Sequence, residues 1–538
     1  MAKNSYRASF SKRFIEGMLK RKDPDEMLAV AKTEGLEKTL GVMDLIILGI
    51  GAIIGSGIFA VVGIAAAGGG ESVGAGPALM VSMIIAAFAC VFSALCYSEF
   101  ASMIPVAGGA YIYTFATLGE FAAWMVGWIL MLEYAIGYIA VACAWSNHFM
   151  QFIKGFSAYL PAWVSNPPLW LVNDSRSAMK IIEDSGLDAN VVVPHICGMP
   201  VCINLPAIFI VLLITAILVK GTKDSTKMAG VMVFVKLAVI ALFVCIGAFY
   251  IKPANWTPFA PNGFEGVFMG AFIIFFAYIG FDALATTAEE CKNPQKDLPI
   301  GIIGSLIVTT IVYVLVALVL TGIQPTSGVE IPTGFLKAPM AFVMQNVGQN
   351  WVAGLISIGS LAGLTSVLLV LQLAATRILF AMSRDNFLPH KFQVLHPKYH
   401  TPALLTWVVG LICVVGTLCL DLNVAAELCN FGTFTSFIIV CVAVLILRKV
   451  DPDRPRPFKV PFSPYFPLMG IICCGGLMIY SMQSLTTSAL LFPAWIGLGA
   501  LIYLHYGYKK NRVEEVFDKR RKIVESRENN SEGESVES

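Results

Sequence analysis

Twelve stretches of this chain are apolar over about the 20 residues that a helix needs to cross a bilayer, and no other feature limits its fold as strongly. They lie near 42–66, 77–98, 120–150, 204–219, 228–250, 265–288, 299–321, 351–382, 403–420, 424–447, 467–483 and 488–507. A backbone in hydrocarbon satisfies its N–H and C=O groups within its own helix, so these stretches predict an all-α membrane protein with twelve transmembrane helices. Of the 538 residues 57% are hydrophobic and 13% charged, about half the charged share of a soluble domain. The net charge of +2 is scattered in short blocks between the apolar runs and at the tails, which leaves no footprint for nucleic acid.

Positive charge sets the orientation. With the amino terminus inside, the inner segments hold thirty Lys or Arg and the outer segments five: Lys154, Arg176, Lys180, Lys252 and Lys337. Both termini are therefore expected in the cytoplasm, with the chain integral to the plasma (inner) membrane. The first 41 residues hold nine Lys or Arg and no short apolar core ending in small residues, so no removable signal is read there. Residues 508–538, rich in charge and Ser, read as a disordered tail. The outer connection at 151–203 carries Pro, Asn, Asp and Ser clusters and reads as a loop with one short helix. Cys197 and Cys202 share it and are a candidate disulfide, whereas most of the 13 cysteines sit inside apolar runs as small buried residues.

The first run, VMDLIILGIGAIIGSGIFAVVGIAAAG at 42–68, crowds Gly49, Gly51, Gly55 and Gly57 into its middle. Two readings account for them. Gly51 and Gly55 can form a G-x-x-x-G face for close helix packing. Alternatively the helix is interrupted, and its bare backbone groups line a cavity where they hold a ligand. The sixth run repeats the pattern, since FFAYIGFDALATT at 275–287 puts Gly280 and Asp282 in mid-membrane. Interruptions in runs one and six imply two repeats of five spans, and an odd number inverts the second against the first. The expected organisation is an inner tail at 1–41, one repeat at 42–250, an inverted one at 265–447 and two peripheral helices at 467–507.

Such an interruption suits a zwitterion. The N–H groups of Ser56 and Gly57 begin a half-helix whose positive end favours a carboxylate. Opposite them, the carbonyls of Ile53, Phe276, Ala277 and Ile279 can accept hydrogen bonds from an ammonium. Glycine here lets a ligand approach the backbone, and Phe281 is placed to close over the site from outside.

Lys236 is the lone basic residue deep within a run, where an isolated charge costs about 2.5 to 3.5 kcal/mol on insertion scales. Either it snorkels to the cytoplasmic interface, or its amine touches carbonyls of the broken first run and changes protonation during transport. Glu133, midway along the third run, either orients polar neighbours or is a protonated, hydrogen-bonded acid. Asp282 is equally open, with a hydroxyl or a base from another helix as its partner. Asp44, Glu289, Glu290, Arg377 and Arg384 flank the inner ends of runs, as an inner gate or as ordinary ion pairs. His390, His396 and His400 cluster in an inner loop, but no carboxylate or cysteine completes a metal set. Nothing reads as a hydrolase elbow, P-loop or zinc motif, so an enzyme is not indicated.

The motifs GIGAIIGSGIF at 49–59, GPAL followed by CYSEFASMIPVAGGAYIYTFATLGE at 96–120, FFAYIGFDALATTAEECKNPQKDLPIGI at 275–302 and TRILFAMSRDNFLP at 376–389 resemble those of the amino acid, polyamine and organocation (APC) superfamily of transporters. The likeness runs from about 36 to 505 and is greatest to the cationic amino acid transporter branch and its bacterial relatives. It implies a LeuT-type fold of 5+5 inverted repeats with discontinuous helices 1 and 6, plus two peripheral helices. It further implies that Gly55, Ser56 and Gly57 hold the substrate carboxylate, with the carbonyls of Ile53, Phe276, Ala277 and Ile279 on its amino group. A lysine matching Lys236 takes the place of a cation in sodium-coupled relatives, which favours proton coupling. Family members keep a glutamate matching Glu133, and Leu364 and Thr365 on span eight fall near the side-chain pocket. The loop at 151–203 is longer than in the bacterial relatives.

The expectation is a secondary active importer of L-amino acids, a small-molecule permease working by alternating access, with no cofactor and a proton as coupling ion. A cationic amino acid (Arg, Lys or ornithine) uniporter or exchanger is the alternative within the class, and a non-transporting amino acid sensor the alternative outside it. A large folded signalling tail would mark a sensor, and the short charged tails here do not.

Overall fold

A computed structural model of the chain describes residues 18–507, except 34–37, 39, 70–71, 107, 156–158, 185–192, 197–198, 201, 328–330, 400, 421 and 484–486. The tail at 508–538 and Cys197 lie outside the described residues. Cys202 is buried, in a small cluster with Ala178, Ile182 and Val193.

The fold is all-α. Ten helical segments among the described residues, with the two interrupted runs counted whole, are long and apolar enough to cross a membrane. Two of the predicted runs form shorter apolar helices, Leu205–Lys220 and Ala403–Cys419, of 16 and 17 residues. The first run is two helices, α1 (Val42–Ile53) and α2 (Val62–Ala67), joined through extended Ile54 and a π-helical turn at Gly57–Val61. Unbroken spans follow as α3 (Leu79–Met103) and α4 (Glu120–Gly155), then α5 (Leu205–Lys220) and α6 (Thr222–Gly247). The sixth run is α7 (Gly263–Phe275), a 3-10 turn at Phe276–Tyr278, extended Ile279, and a 3-10 stretch at Phe281–Glu290. The rest is α8 (Pro294–Ile323), α9 (Asn350–Arg384), α10 (Ala403–Cys419), α11 (Leu422–Val450), α12 (Tyr465–Met482) and α13 (Thr487–Ile502).

Both glycine-rich runs are therefore interrupted. At the sixth, Gly280 has φ +120°, a conformation that L side chains rarely adopt, and a Cβ there would stand 3.0 Å from the Ala52 backbone. At the first, a Cβ on Gly57 would lie 2.2 Å from Ala277 Cβ, so the two breaks touch only because Gly57 has no side chain. The far ends of the same two runs are tied by backbone bonds, Leu40 N–H to Glu290 O at 3.0 Å and Lys292 N–H to Leu40 O at 2.9 Å.

The surrounding helices hold these breaks in place. Helix α8 packs on α1 and α3, α4 lies along α9 and α11, and α6 runs beside α9. On α13, Trp495 stacks on Trp128 of α4 with ring centroids 4.4 Å apart, and each indole donates to the other residue's carbonyl.

The connection at 151–203 is more ordered than a loop with one short helix. Short helices form at Ala162–Ser165, Leu169–Val172 and Ser175–Asp184, with a two-residue antiparallel ladder pairing His195 with Pro200 and Ile196 with Met199. Asp174 begins the third of these helices by accepting from Ser177 N–H at 2.9 Å, and Ala178 and Ile182, four apart, bury on one face. Proline signals turns, but it also opens two of these helices, with Pro161 and Pro168 at the caps.

Candidate functional site between the two helix breaks

A cavity lies between the interruptions. The first run lines it with Ala52, Ile53, Gly55, Ser56 and Gly57, and the sixth with Phe276 and Ile279. Its remaining walls come from Gly137 and Val141 on α4, Val367 and Leu371 on α9, and Cys429 on α11. The cavity is small, about 20 Å³, with room for one or two waters, so any larger ligand must move a wall. A π turn at Gly57–Val61 begins the second half-helix, and the first N–H groups of any helix lack intrahelical acceptors. Carbonyls at the end of α1 are the matching acceptors.

Seven of the predicted substrate contacts thus surround one cavity or belong to its breaks: Ile53, Gly55, Ser56, Gly57, Phe276 and Ile279 line it, and Ala277 abuts Gly57. The Ala277 carbonyl already has a donor. Tyr313 on α8 is fully buried, and its hydroxyl reaches Ala277 O at 2.7 Å and Ile53 O at 3.0 Å. One phenol proton shared by two carbonyls leaves the second lone pairs of both free for a ligand.

Phe281 does not close over the cavity. It follows Gly280 into the second half of the sixth run and packs on Tyr97 and Phe437, with centroids 6.0 and 5.0 Å away, while Phe276 faces the cavity instead. Leu364 is buried elsewhere, and Thr365 accepts from Trp145 Nε1 at 3.0 Å and donates to Leu361 O at 2.7 Å. The cavity face of α9 is carried by Val367 and Leu371, four residues apart.

Lys236 does not snorkel. Its side chain is fully buried, and Nζ donates to Gly51 O at 2.8 Å, Ile54 O at 2.6 Å and Ser366 Oγ at 3.0 Å. The ammonium therefore stands on the carbonyls that the first break leaves without helical partners. Gly363 makes room for the stem, since a Cβ there would come within 3.3 Å of Lys236 Cδ. Glu133 is also fully buried; Oε2 accepts from Ser436 Oγ at 3.4 Å and Oε1 has no partner among the described residues. Asp282 takes a hydroxyl partner, Tyr134 Oη. Neither carboxylate lines the cavity.

Arg377 pairs with Glu290, and Arg384 lies over the Phe380 ring at 5.8 Å. Asp44 accepts from Gly41 N–H at 3.0 Å and so caps its own helix. No group of three or more metal-ligating side chains occurs among the described residues.

The side-chain walls at Gly137, Val141 and Cys429 were not legible as site residues. Glu133, Gly137 and Val141 recur every four residues along one face of α4, and that spacing from an intramembrane acid was the available signal.

The amino acid permease family model matches residues 40–501. The chain belongs to this family, within the APC superfamily. This permease is 42% identical to the methylthioribose transporter of Bacillus subtilis (strain 168) over 495 residues, which are 92% of this chain and 99% of that protein. To the branched-chain amino acid permease BcaP of the same organism it is 41% identical, over 92% of this chain and 98% of the relative. To cationic amino acid transporter 9, chloroplastic, of Arabidopsis thaliana it is 34% identical, over 90% and 80%. The family is one of transporters, not enzymes, and this member is a multi-pass membrane protein.

Proposed function

We propose that this permease is a proton-coupled importer of L-amino acids with compact, neutral side chains, working by alternating access. The zwitterion sits between the breaks, its carboxylate on the N–H groups of Gly55, Ser56 and Gly57 and its ammonium on the carbonyls of Ile53, Phe276 and Ile279. The fold is read as twelve spans in a 5+5 inverted repeat with both termini in the cytoplasm, α5 and α10 being tilted little or flanked by thinned bilayer. The plasma membrane is its place.

The observation that carries this reading is the cavity itself, in which bare backbone from two broken helices meets walls of Gly137, Val141, Val367, Leu371 and Cys429. A guanidinium or ammonium side chain in that apolar wall would be buried without a counter-charge, since Glu133 and Asp282 lie outside the lining. Branched or short alkyl groups match that apolar wall once it moves to admit them, in line with the name of the relative BcaP. Lys236 is proposed to couple site occupancy to proton movement, because its amine holds the same broken segment that cradles the substrate.

A second reading rests on the similarity to the methylthioribose transporter: a neutral thioether sugar would use the apolar wall and leave the charge-complementary backbone groups to its hydroxyls. Uptake by the purified protein in proteoliposomes separates the readings. Labelled leucine, isoleucine, valine and alanine should accumulate with a pH gradient or membrane potential, and excess arginine or methylthioribose should not compete. Accumulation that is equal without either gradient rejects the proton coupling; uptake of arginine or methylthioribose alone rejects the substrate class.

A further inference from the structure

His148 lies near the end of α4, 3% exposed, and is used by none of the above. Both of its ring nitrogens face backbone carbonyls: Nδ1 is 3.0 Å from Ala144 O one turn back, and Nε2 is 3.2 Å from Phe59 O. Phe59 belongs to the π turn that begins the second half-helix of the first run. A neutral imidazole owns one N–H, so one of these two contacts sets a nitrogen lone pair against an oxygen; only the imidazolium donates to both.

We propose that His148 is a proton-binding latch between α4 and the outer half-helix Gly57–Ala67, closed when the ring carries two protons and released when it carries one. This rests on the alternating-access reading, in which that half-helix must leave α4 to admit substrate from outside. The ring is a side chain of α4 that hydrogen-bonds the half-helix. Release therefore removes a specific tie across the moving boundary.

The ionisable groups toward this end of the packed elements are Cys143 and Lys154 on α4 itself, Cys413 and Cys419 on α10, Lys337 at the end of the helix Thr333–Lys337, Glu265 on α7, and Glu427 and Cys429 on α11; Glu120 and Glu133 on α4 and Lys220 on α5 lie toward the other end. The half-helix, the helix Ala162–Ser165 and the stretch of α9 at 350–365 carry none. Burial opposes the charge, and two carbonyl oxygens at hydrogen-bond distance are what the site supplies against it. Since the closed form binds the extra proton, closure gains on the acid side and opening on the alkaline side.

The test begins with wild-type protein in proteoliposomes. Diethyl pyrocarbonate modifies unprotonated, reachable imidazoles, and peptide mass spectrometry gives the rate at His148 relative to exposed His195. That ratio should rise about tenfold between roughly pH 6 and pH 8, because opening is linked to one proton. A ratio that is flat, or that falls, overturns the latch without any variant being made. In parallel, leucine uptake is measured from about pH 5 to pH 8 at fixed membrane potential for wild type and His148→Gln, whose amide donates without titrating. The latch predicts a KM that varies several-fold across the window in wild type and clearly less in the variant, which keeps only the pH dependence that Lys236 contributes. A variant with the wild-type profile refutes the latch and leaves the transport reading standing; wild-type protein that takes up no amino acid refutes the transport reading instead.

Discussion

Replacing Lys236 by Met tests the coupling proposal with least collateral damage. Met keeps the length of the stem that fills the space beside Gly363 and removes only the ammonium. Three hydrogen bonds are lost, to Gly51 O, Ile54 O and Ser366 Oγ. Gly51 O retains Ser366 Oγ at 3.3 Å, so the Ile54 carbonyl is the one left without its 2.6 Å donor. An orphaned buried carbonyl costs about 1 to 3 kcal/mol. If that cost falls on the conformation that cradles the substrate, affinity drops by roughly five- to 150-fold. The assay has two arms in the same proteoliposomes. Concentrative uptake driven by a pH gradient should be lost, while exchange of internal for external leucine at high concentration should persist. A Lys236→Met protein that concentrates leucine to the wild-type level, with unchanged KM, would remove Lys236 from the mechanism.

Gly57→Ala should abolish binding or folding, because its Cβ would stand 2.2 Å from Ala277 Cβ and 2.3 Å from Ala277 Cα; Gly354→Ala, with nothing within 4 Å, should bind leucine as wild type does in the same radioligand assay. Gly137→Ala places a methyl 3.0 Å from Cys429 Sγ at the cavity wall, so KM should rise about tenfold for leucine and much less for alanine; equal effects on both would show that Gly137 does not bound the side-chain subsite. Tyr313→Phe leaves the carbonyls of Ile53 and Ala277 without their shared donor and should cost about 1 to 3 kcal/mol of stability, read as a lower thermal midpoint in detergent that added leucine partly restores; an unchanged midpoint would mean that the hydroxyl holds nothing together. Glu99, 1% exposed, receives Arg448 and Val460 N–H, the latter at 2.7 Å, so Glu99→Gln should lower the thermal midpoint by the equivalent of about 3 to 5 kcal/mol, with KM for leucine little changed in whatever protein survives.

Much of this permease was fixed by local chemistry. Apolar runs of bilayer length require helices whatever their neighbours do, and glycines crowded in mid-run mark where backbone stays bare, so the two breaks and the residues Ile53 to Gly57 and Phe276 to Gly280 could be placed from the order of residues. Lys236 was conspicuous because a charge at that depth needs partners, and the nearest bare carbonyls belonged to the first break. What could not be placed were faces. Helices α4, α9 and α11 are apolar nearly all round, so their periodicity does not say which side turns to the cavity; the resemblance pointed to Leu364 and Thr365 on α9, whereas the residues of α9 that line the cavity are Val367 and Leu371. Phe281 was expected to close over the site from outside, but the rotation of a residue after a positive-φ glycine depends on the packing beyond it, here Tyr97 and Phe437. The convergence of Gly137, Val141 and Cys429, the single proton of Tyr313 between two carbonyls, and the approach of His148 to Phe59 exist only because helices far apart in the chain cross at particular angles. Backbone needs are written locally, whereas the meeting of side chains is decided by how rods pack.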